Sequence, residues 1–272
     1  MTHPAGAAIA LDTGGESWTG VFPGLGSVTV SADGSITVQP DESTTDSADT
    51  VERRSAALTY GWGEPLSWAR RGFLLLHGGC VTPDAASGAL LVTGDLHEFG
   101  RLLPALSDLG CSFLSDRYTP AQWVHGDLMA HPVAAPILLS ARRAKKAGWD
   151  GRPVRGDTDT LAVDVARTTE PVRIRAVVQV HRARPDDQPL QPLSGHHRFE
   201  VAASLCFGGV LSGHANQADQ DTDTDPAEVM AEHLRLSALP MARLSLSGDG
   251  EQLPDEADQL VQWWGTTVQA DR

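Results

Sequence analysis

The chain has 272 residues, with 35 acidic and 21 basic side chains and a net charge of −14. This charge repels nucleic acids and anionic membranes, so we expect neither as a partner and look instead to peptides, proteins or small molecules. The three cysteines fit neither a disulfide framework nor a zinc site, and Met1 to Ala10 resemble no signal segment, so we expect a cytoplasmic protein.

The N-terminal part predicts a small β unit. Apolar residues alternate through residues 26–39 around Asp33-Gly34, which is typical of a hairpin with a two-residue turn and one buried face. The polar stretch 40–50 has no apolar period and predicts a linker. We therefore assign residues 1–52 to a β-hairpin unit with its linker and residues 53–272 to a larger domain.

The following segment predicts alternating strands and a helix. Apolar runs at 73–76 and 89–93 indicate buried strands, and a further short run at 111–114 indicates another. Between them, Phe99, Leu102, Leu103 and Leu106 have the spacing of one helix face, with Pro104 expected in the first turn. This order indicates a mixed α/β fold.

The second half continues the same alternation of strands and helices. Strands are predicted at 161–165, 172–180 and 241–246 from their apolar patterns. Helices are predicted near 199–206 and 227–237, and a terminal helix is predicted to open at Pro254.

The segment 90–106, LLVTGDLHEFGRLLPAL, resembles a strand, a phosphate-binding loop and a helix. An active loop ends in G-K-[ST], where the lysine grips phosphate and the hydroxyl binds magnesium. Here Arg101 and Leu102 follow Gly100, and the chain's two lysines, Lys145 and Lys146, lie elsewhere. Two carboxylates would also meet an incoming polyphosphate. We therefore predict a vestigial nucleotide loop made of Gly94, Asp95, His97, Glu98, Gly100 and Arg101.

The order of these segments resembles HPr kinase/phosphorylase, whose core is of the phosphoenolpyruvate carboxykinase type. The resemblance lies in Leu76-His77-Gly78, in the strand and loop just described, and in Leu114-Ser115-Asp116-Arg117. It implies a P-loop core with His77 near the transferred phosphate and Asp116 as general base. Arg117 stands where the family has a second aspartate. The resemblance thus implies the fold but not the activity, leaving His77, Asp116 and Arg117 as vestigial catalytic candidates.

Each of these candidates also has a structural interpretation. His77 lies beside an apolar run and two glycines, where it could be a core or turn histidine. Asp116 could cap the turn before Pro120. Arg101 could instead replace the lysine as a phosphate contact, because its guanidinium binds phosphate in a fork.

Two other groups carry chemistry in the sequence. His196, His197, His214 and His233, with Asp219 or Glu232, match no known ligand spacing, so we predict no metal site. The basic run Arg142-Arg143 with Lys145-Lys146 is either a solvated helix face or a contact for an acidic partner. Several tryptophans could anchor a partner if they clustered on one surface: Trp62, Trp68, Trp123, Trp149, Trp263 and Trp264.

We therefore predict a non-catalytic, pseudokinase-like accessory protein that binds a peptide or protein partner and needs no cofactor. Its resemblance to short HPr kinase relatives implies a role in the biosynthesis of ribosomally made peptide natural products. One alternative is an atypical ATP-dependent serine kinase that uses Mg-ATP, Arg101, His77 and Asp116. Another is a structural homo-oligomer in which the degenerate loop is a simple turn.

Overall fold

A computed structural model of the chain describes residues 10–12, 16–41, 47–84, 86–154, 157–184, 187–206, 226–247 and 252–270. It has a mixed α/β fold, as predicted. Its first four strands form an antiparallel meander: β1 (Ala10–Asp12), β2 (Ser17–Phe22), β3 (Gly26–Ser31) and β4 (Ile36–Pro40).

The predicted hairpin is present as β3 and β4, but its turn is longer than two residues. The amide of Ser31 donates to the carbonyl of Ser35 at 3.0 Å, so Ala32, Asp33 and Gly34 lie between the paired residues. Gly34 has a φ of 82°, which is the left-handed residue that such a turn requires.

A helical stretch that the sequence analysis did not predict follows the meander. It runs through α1 (Ala48–Leu58), a π-helical segment (Thr59–Gly63) and α2 (Glu64–Arg70). The predicted linker therefore ends earlier than residue 50, because Ser47 caps α1 by accepting a hydrogen bond from the amide of Thr50. The proposed boundary at residue 52 stays a prediction, and α1 runs through that position. Leu58 and Leu66 bury their side chains against the meander.

The remaining strands form two sheets. The strands are β5 (Leu74–His77), β6 (Gly79–Thr82), β7 (Ala89–Gly94), β8 (Ser112–Ser115), β9 (Tyr118–Val124), β10 (Asp127–Ala130), β11 (Ile137–Ser140), β12 (Gly151–Val154), β13 (Asp157–Val163), β14 (Val172–Arg182), β15 (Leu190–Pro192) and β16 (Met241–Leu246). Strands β11 to β13 make a small sheet, and the other nine make the main sheet. At its centre β14 runs parallel to both β7 and β16, while the other pairs are antiparallel.

Helices cover both faces of the main sheet. They are α3 (Leu96–Asp108), α4 (Ala141–Lys146), α5 (His196–Leu205), α6 (Pro226–Ser237) and α7 (Leu253–Ala270). Helices α3 and α7 and the small sheet share one core cluster, and α5 and α6 share the other. The predicted apolar stripe of α3 is buried, which confirms the helix. The strands and helices predicted in the second half are also confirmed, with shifts of a few residues at their ends. In the described part of the chain, no helix is long and apolar enough to cross a bilayer.

Candidate functional site

The junction between β7 and α3 is where the sequence predicted a vestigial phosphate-binding loop. In the structure, β7 ends at Gly94 and α3 begins at Leu96, so Asp95 alone joins strand to helix. A phosphate-binding loop needs several successive amides curved around the anion. The prediction of a loop was therefore wrong for His97, Glu98, Gly100 and Arg101, which all lie in the helix.

The helix starts early because Asp95 caps it. Its carboxylate accepts a hydrogen bond from the amide of His97 at 2.8 Å, and its own amide donates to the carbonyl of Val180 at 3.0 Å. A helix N-terminus attracts anions through its unpaired amides and its dipole. Here the chain's own carboxylate fills that position. Pro104 consequently lies in the third turn of α3, whereas the sequence analysis placed it in the first turn.

Gly94 is required by the geometry of the same junction. Its φ is 97°, and a Cβ at this position would lie 2.3 Å from the carbonyl oxygen of Val180 on β14. The backbones of β7 and β14 can therefore approach closely only with glycine here. This glycine serves strand packing, and its position in the sequence explains the likeness to a phosphate loop.

A series of polar side-chain contacts lies at the end of the parallel strands, next to this junction. Glu98 is only 5% exposed and forms an ion pair with Arg101. Arg101 also donates from Nη2 to the carbonyl of Ser247 at 2.8 Å, and the amide of Ser247 donates to Glu256 Oε1 at 2.6 Å. The carboxyl ends of parallel strands are where open α/β sheets bind ligands. At this end, α3 and the segment after β16 are joined by these contacts.

Two details of the sequence analysis are corrected by this chain of contacts. The carboxylate of Glu98 is not presented to an incoming polyphosphate, because it is buried against Arg101. Arg101 is not a free replacement for the phosphate-binding lysine, because both its ion pair and its bond to Ser247 hold it in place.

His77 lies at the end of β5, opposite Tyr118 of β9. The next residue, Gly78, approaches the end of β7 so closely that a Cβ would lie 2.4 Å from the carbonyl oxygen of Val92. His77 is half-buried, and burial lowers its pKa. His77 thus directly precedes a glycine that packs against β7, and its place near a transferred phosphate stays a prediction.

Asp116 and Arg117 follow β8 and form contacts within the protein. Asp116 Oδ2 accepts a hydrogen bond from the amide of Leu138 at 3.2 Å and lies 3.5 Å from Arg117 Nε. The side chain of Asp116 is 12% exposed. Its carboxylate therefore ties β8 to β11 of the small sheet. This contact gives Asp116 a structural role, although not the turn cap that the sequence analysis considered.

Glu64 and Tyr118 lie close to this pair and connect α2 to the main sheet. The hydroxyl of Tyr118 donates to Glu64 Oε2 at 3.0 Å. Burial raises the pKa of Glu64, and the hydrogen bond from Tyr118 offsets part of that rise. Burial and the neighbouring carboxylate also raise the pKa of Tyr118. Glu64 and Tyr118 thus form a polar contact inside the protein between α2 and β9.

The structure also brings together three residues that the sequence analysis did not connect. His181 Nε2 lies 3.0 Å from the hydroxyl of Ser245 and 3.4 Å from Asp187 Oδ2. In a nucleophile relay, the serine and the carboxylate contact different nitrogens of the imidazole. Here both contacts use the same nitrogen, so the arrangement is not a relay. No spacing signal could have found it, because β14 and β16 are far apart in sequence.

The described histidines that were considered for a metal site lie in two environments, one shared by His196 and His197 and the other containing His233. His196, His197 and Glu200 place potential ligand atoms within 4.8 Å of one another, but all three residues are exposed. His233 packs against Phe199 instead, with ring centroids 5.9 Å apart. The other histidine and the aspartate of that group, at positions 214 and 219, lie outside the described residues.

The six tryptophans are divided among different clusters, and Trp149, Trp263 and Trp264 pack in the same one. Trp264 is buried in the core beneath α7, and Trp62 packs against Phe22 of the meander. Trp123 lies under the guanidinium of Arg235, 4.0 Å from its ring centroid.

Comparisons with known proteins give similarity to solved structures only. No family model matches the chain, and no curated protein matches it. Among solved structures, the chain is similar to the Hpr(Ser) kinase/phosphatase from Coxiella burnetii, with 10% identity and a TM-score of 0.35. The similarity covers 72% of this chain and 98% of that one. At this identity and score, it supports no inference about activity or ligand.

Proposed function

We propose that this chain is a non-catalytic binding protein of the pseudokinase type, which recognises a peptide or protein partner. The observation that carries the proposal is the closed junction between β7 and α3. Asp95 occupies the helix N-terminus. The two residues directly after Gly100 are Arg101 and Leu102, so neither the lysine nor the hydroxyl of an active loop is present there. A polyphosphate would have to displace a carboxylate and would find none of the groups that normally hold it.

The alternative of an atypical kinase is disfavoured by the contacts of its proposed residues. Arg101 is committed to Glu98 and Ser247, and Asp116 is committed to Leu138 and Arg117. A general base must reach the proton that it removes, and a phosphate-binding cation must be able to turn toward the phosphate. Either role would require these internal contacts to break.

The nature of the partner is a further part of the proposal. The resemblance of this short chain to short relatives of HPr kinase favours a precursor peptide of a ribosomally made natural product. The net charge of −14 weighs against nucleic acid, and we propose a cytoplasmic role without a cofactor.

Two titrations of the full chain test the proposed function. Calorimetry with Mg-ATP should give no binding up to about millimolar nucleotide, the weak end of ordinary affinities. A precursor peptide encoded beside the protein should bind without acquiring phosphate from radiolabelled ATP. Micromolar binding of Mg-ATP that is lost in Arg101→Ala, or transfer of label to the peptide, would show a kinase and overturn the proposal.

A further inference from the structure

A cleft of about 620 Å³ lies between α3, α4 and the start of α7. Its volume is in the range of ligand-binding cavities. Pro104, Ala105, Leu253 and Pro254 give it an apolar wall. The rest of its lining includes five basic residues, and we call the cleft with this wall and this lining the basic cleft: His97, Arg101, Arg142, Arg143 and Lys146.

Most of the positive charge in the cleft is not paired in a salt bridge within the part of the chain that the structure describes. Arg142, Arg143 and Lys146 form no ion pair with a described carboxylate, whereas Arg101 is neutralised by Glu98. Asp108 is the one acidic residue that lines the cleft. The cleft therefore has an excess of positive charge in a chain whose net charge is −14.

Arg143 lines the cleft and is held in position by contacts with α3. Its Nη2 lies 2.6 Å from His97 Nδ1, and its Nη1 would be 3.1 Å from a methyl group placed on Gly100. Burial lowers the pKa of Arg143, and the nearby carboxylates of Glu98 and Asp95 partly oppose that effect. An arginine that is partly desolvated and already oriented loses less entropy when it binds a carboxylate.

We propose that the basic cleft binds an acidic segment of the peptide or protein partner. This inference rests on the proposed binding function and names the chemistry of the partner. A segment with two or more carboxylates would pair with Arg142, Arg143 and Lys146, and an apolar residue beside them would pack on Leu253 and Pro254. The strongly negative remainder of the protein repels such a segment, so the cleft also determines where it docks.

Fluorescence anisotropy with a labelled peptide tests the inference. The probe is a short peptide of aspartate and glutamate residues around one leucine, and its control replaces the acids with asparagine and glutamine. The acidic peptide should bind and the neutral one should not. Raising the salt from about 50 to 300 mM should weaken binding several-fold, because screening acts on the exposed charges.

Charge-reversal variants on α4 test the location of the site. Arg142→Glu with Lys146→Glu should weaken binding at least about tenfold, because two attractive contacts become repulsive. Lys145→Glu is the matched control, because Lys145 lies on the same helix but does not line the cleft. It should change the affinity by less than about threefold. These side chains are exposed, so circular dichroism should show an unchanged fold.

Several outcomes would overturn the inference. Equal binding of the acidic and neutral peptides, or an equal loss in Lys145→Glu and in the double variant, would exclude the cleft as the site. Loss of a self-association seen by light scattering in the double variant would identify a second copy of the chain as the occupant.

A parallel titration with Mg-ATP separates failure of this inference from failure of the proposed function. Nucleotide binding that the α4 double variant abolishes would belong to the basic cleft and replace the acidic peptide as its ligand. Nucleotide binding that survives in the double variant but is lost in Arg101→Ala would not depend on the α4 side chains and would overturn the proposed function instead.

Discussion

Arg101→Ala distinguishes a structural arginine from a phosphate-binding one. Glu98 and Arg101 form an ion pair with side chains only 6% and 15% exposed, and Arg101 also binds the carbonyl of Ser247. Removing one partner of a buried pair leaves the other charge without compensation, which typically costs about 3 kcal/mol or more. We therefore expect the variant to lose about 3 kcal/mol of unfolding free energy, a large part of a domain's usual stability.

Urea denaturation followed by tryptophan fluorescence measures this loss. Glu98→Gln combined with Arg101→Ala should lose less than the sum of the two single variants, by about 2 kcal/mol, because neither charge then remains unpaired. Arg142→Ala is the control. This exposed arginine forms no ion pair with a described carboxylate, so its removal should change stability by no more than about 0.5 kcal/mol.

The opposite result would refute the structural assignment of Arg101. If Arg101→Ala leaves the unfolding free energy unchanged within about 0.5 kcal/mol, then the contacts with Glu98 and Ser247 do not stabilise the fold. If the same variant also abolishes a measurable affinity for Mg-ATP, then Arg101 acts as a phosphate contact and the kinase alternative is favoured.

Three further predictions concern the same region. Gly94→Ala should lose about 3 kcal/mol or more of unfolding free energy in urea, because the new Cβ would overlap the carbonyl of Val180. Gly110→Ala is the control, because Gly110 has a φ of 80° but no atom near the position of a Cβ, and this variant should lose only about 1 kcal/mol. Asp95→Ala should lose about 1 kcal/mol with its cap, Asp95→Asn should retain most of it, and calorimetry should detect Mg-ATP binding in neither. Burial lowers the pKa of His77 below its usual 6.5. The neutral side chain therefore contributes its full stability above pH 6.5, and this contribution is lost as the pH falls from 6.5 through the lowered pKa. His77→Gln should flatten this part of the curve of stability against pH, measured by thermal denaturation.

The local pattern of the sequence predicted α3 well but misplaced its start. The apolar stripe of Phe99, Leu102, Leu103 and Leu106 identified the buried face, because that spacing has few other uses. Because the segment resembles a phosphate-binding loop, the sequence analysis placed the start of the helix too close to Gly100. Asp95 with an acidic residue three positions later is a recognised signal of a helix N-terminus, and it indicated the true start.

The helices before β5 were missed for a different reason. Gly61 and Gly63 lower the helix propensity of residues 48–70 and hide their periodicity. In the structure, a Cβ on Gly63 would lie 2.6 Å from Ile36 Cγ2 of the meander. The glycine that weakens the local signal is thus required for close packing against residues far away in sequence. Sequence patterns report local preference, and this contact is tertiary.

Gly100 shows why a motif and a site can differ in the same residues. In the sequence it completes an apparent nucleotide loop, but in the structure it lies in the second turn of α3, where glycine costs about 1 kcal/mol relative to alanine. Its missing side chain leaves room for the guanidinium of Arg143, which lines the basic cleft. A cation placed there by α4 attracts anions without any strand-to-helix loop. In the described part of the chain, Asp95 thus occupies the helix N-terminus at the β7 to α3 junction, and the guanidinium of Arg143 lies beside Gly100 one turn further along the same helix.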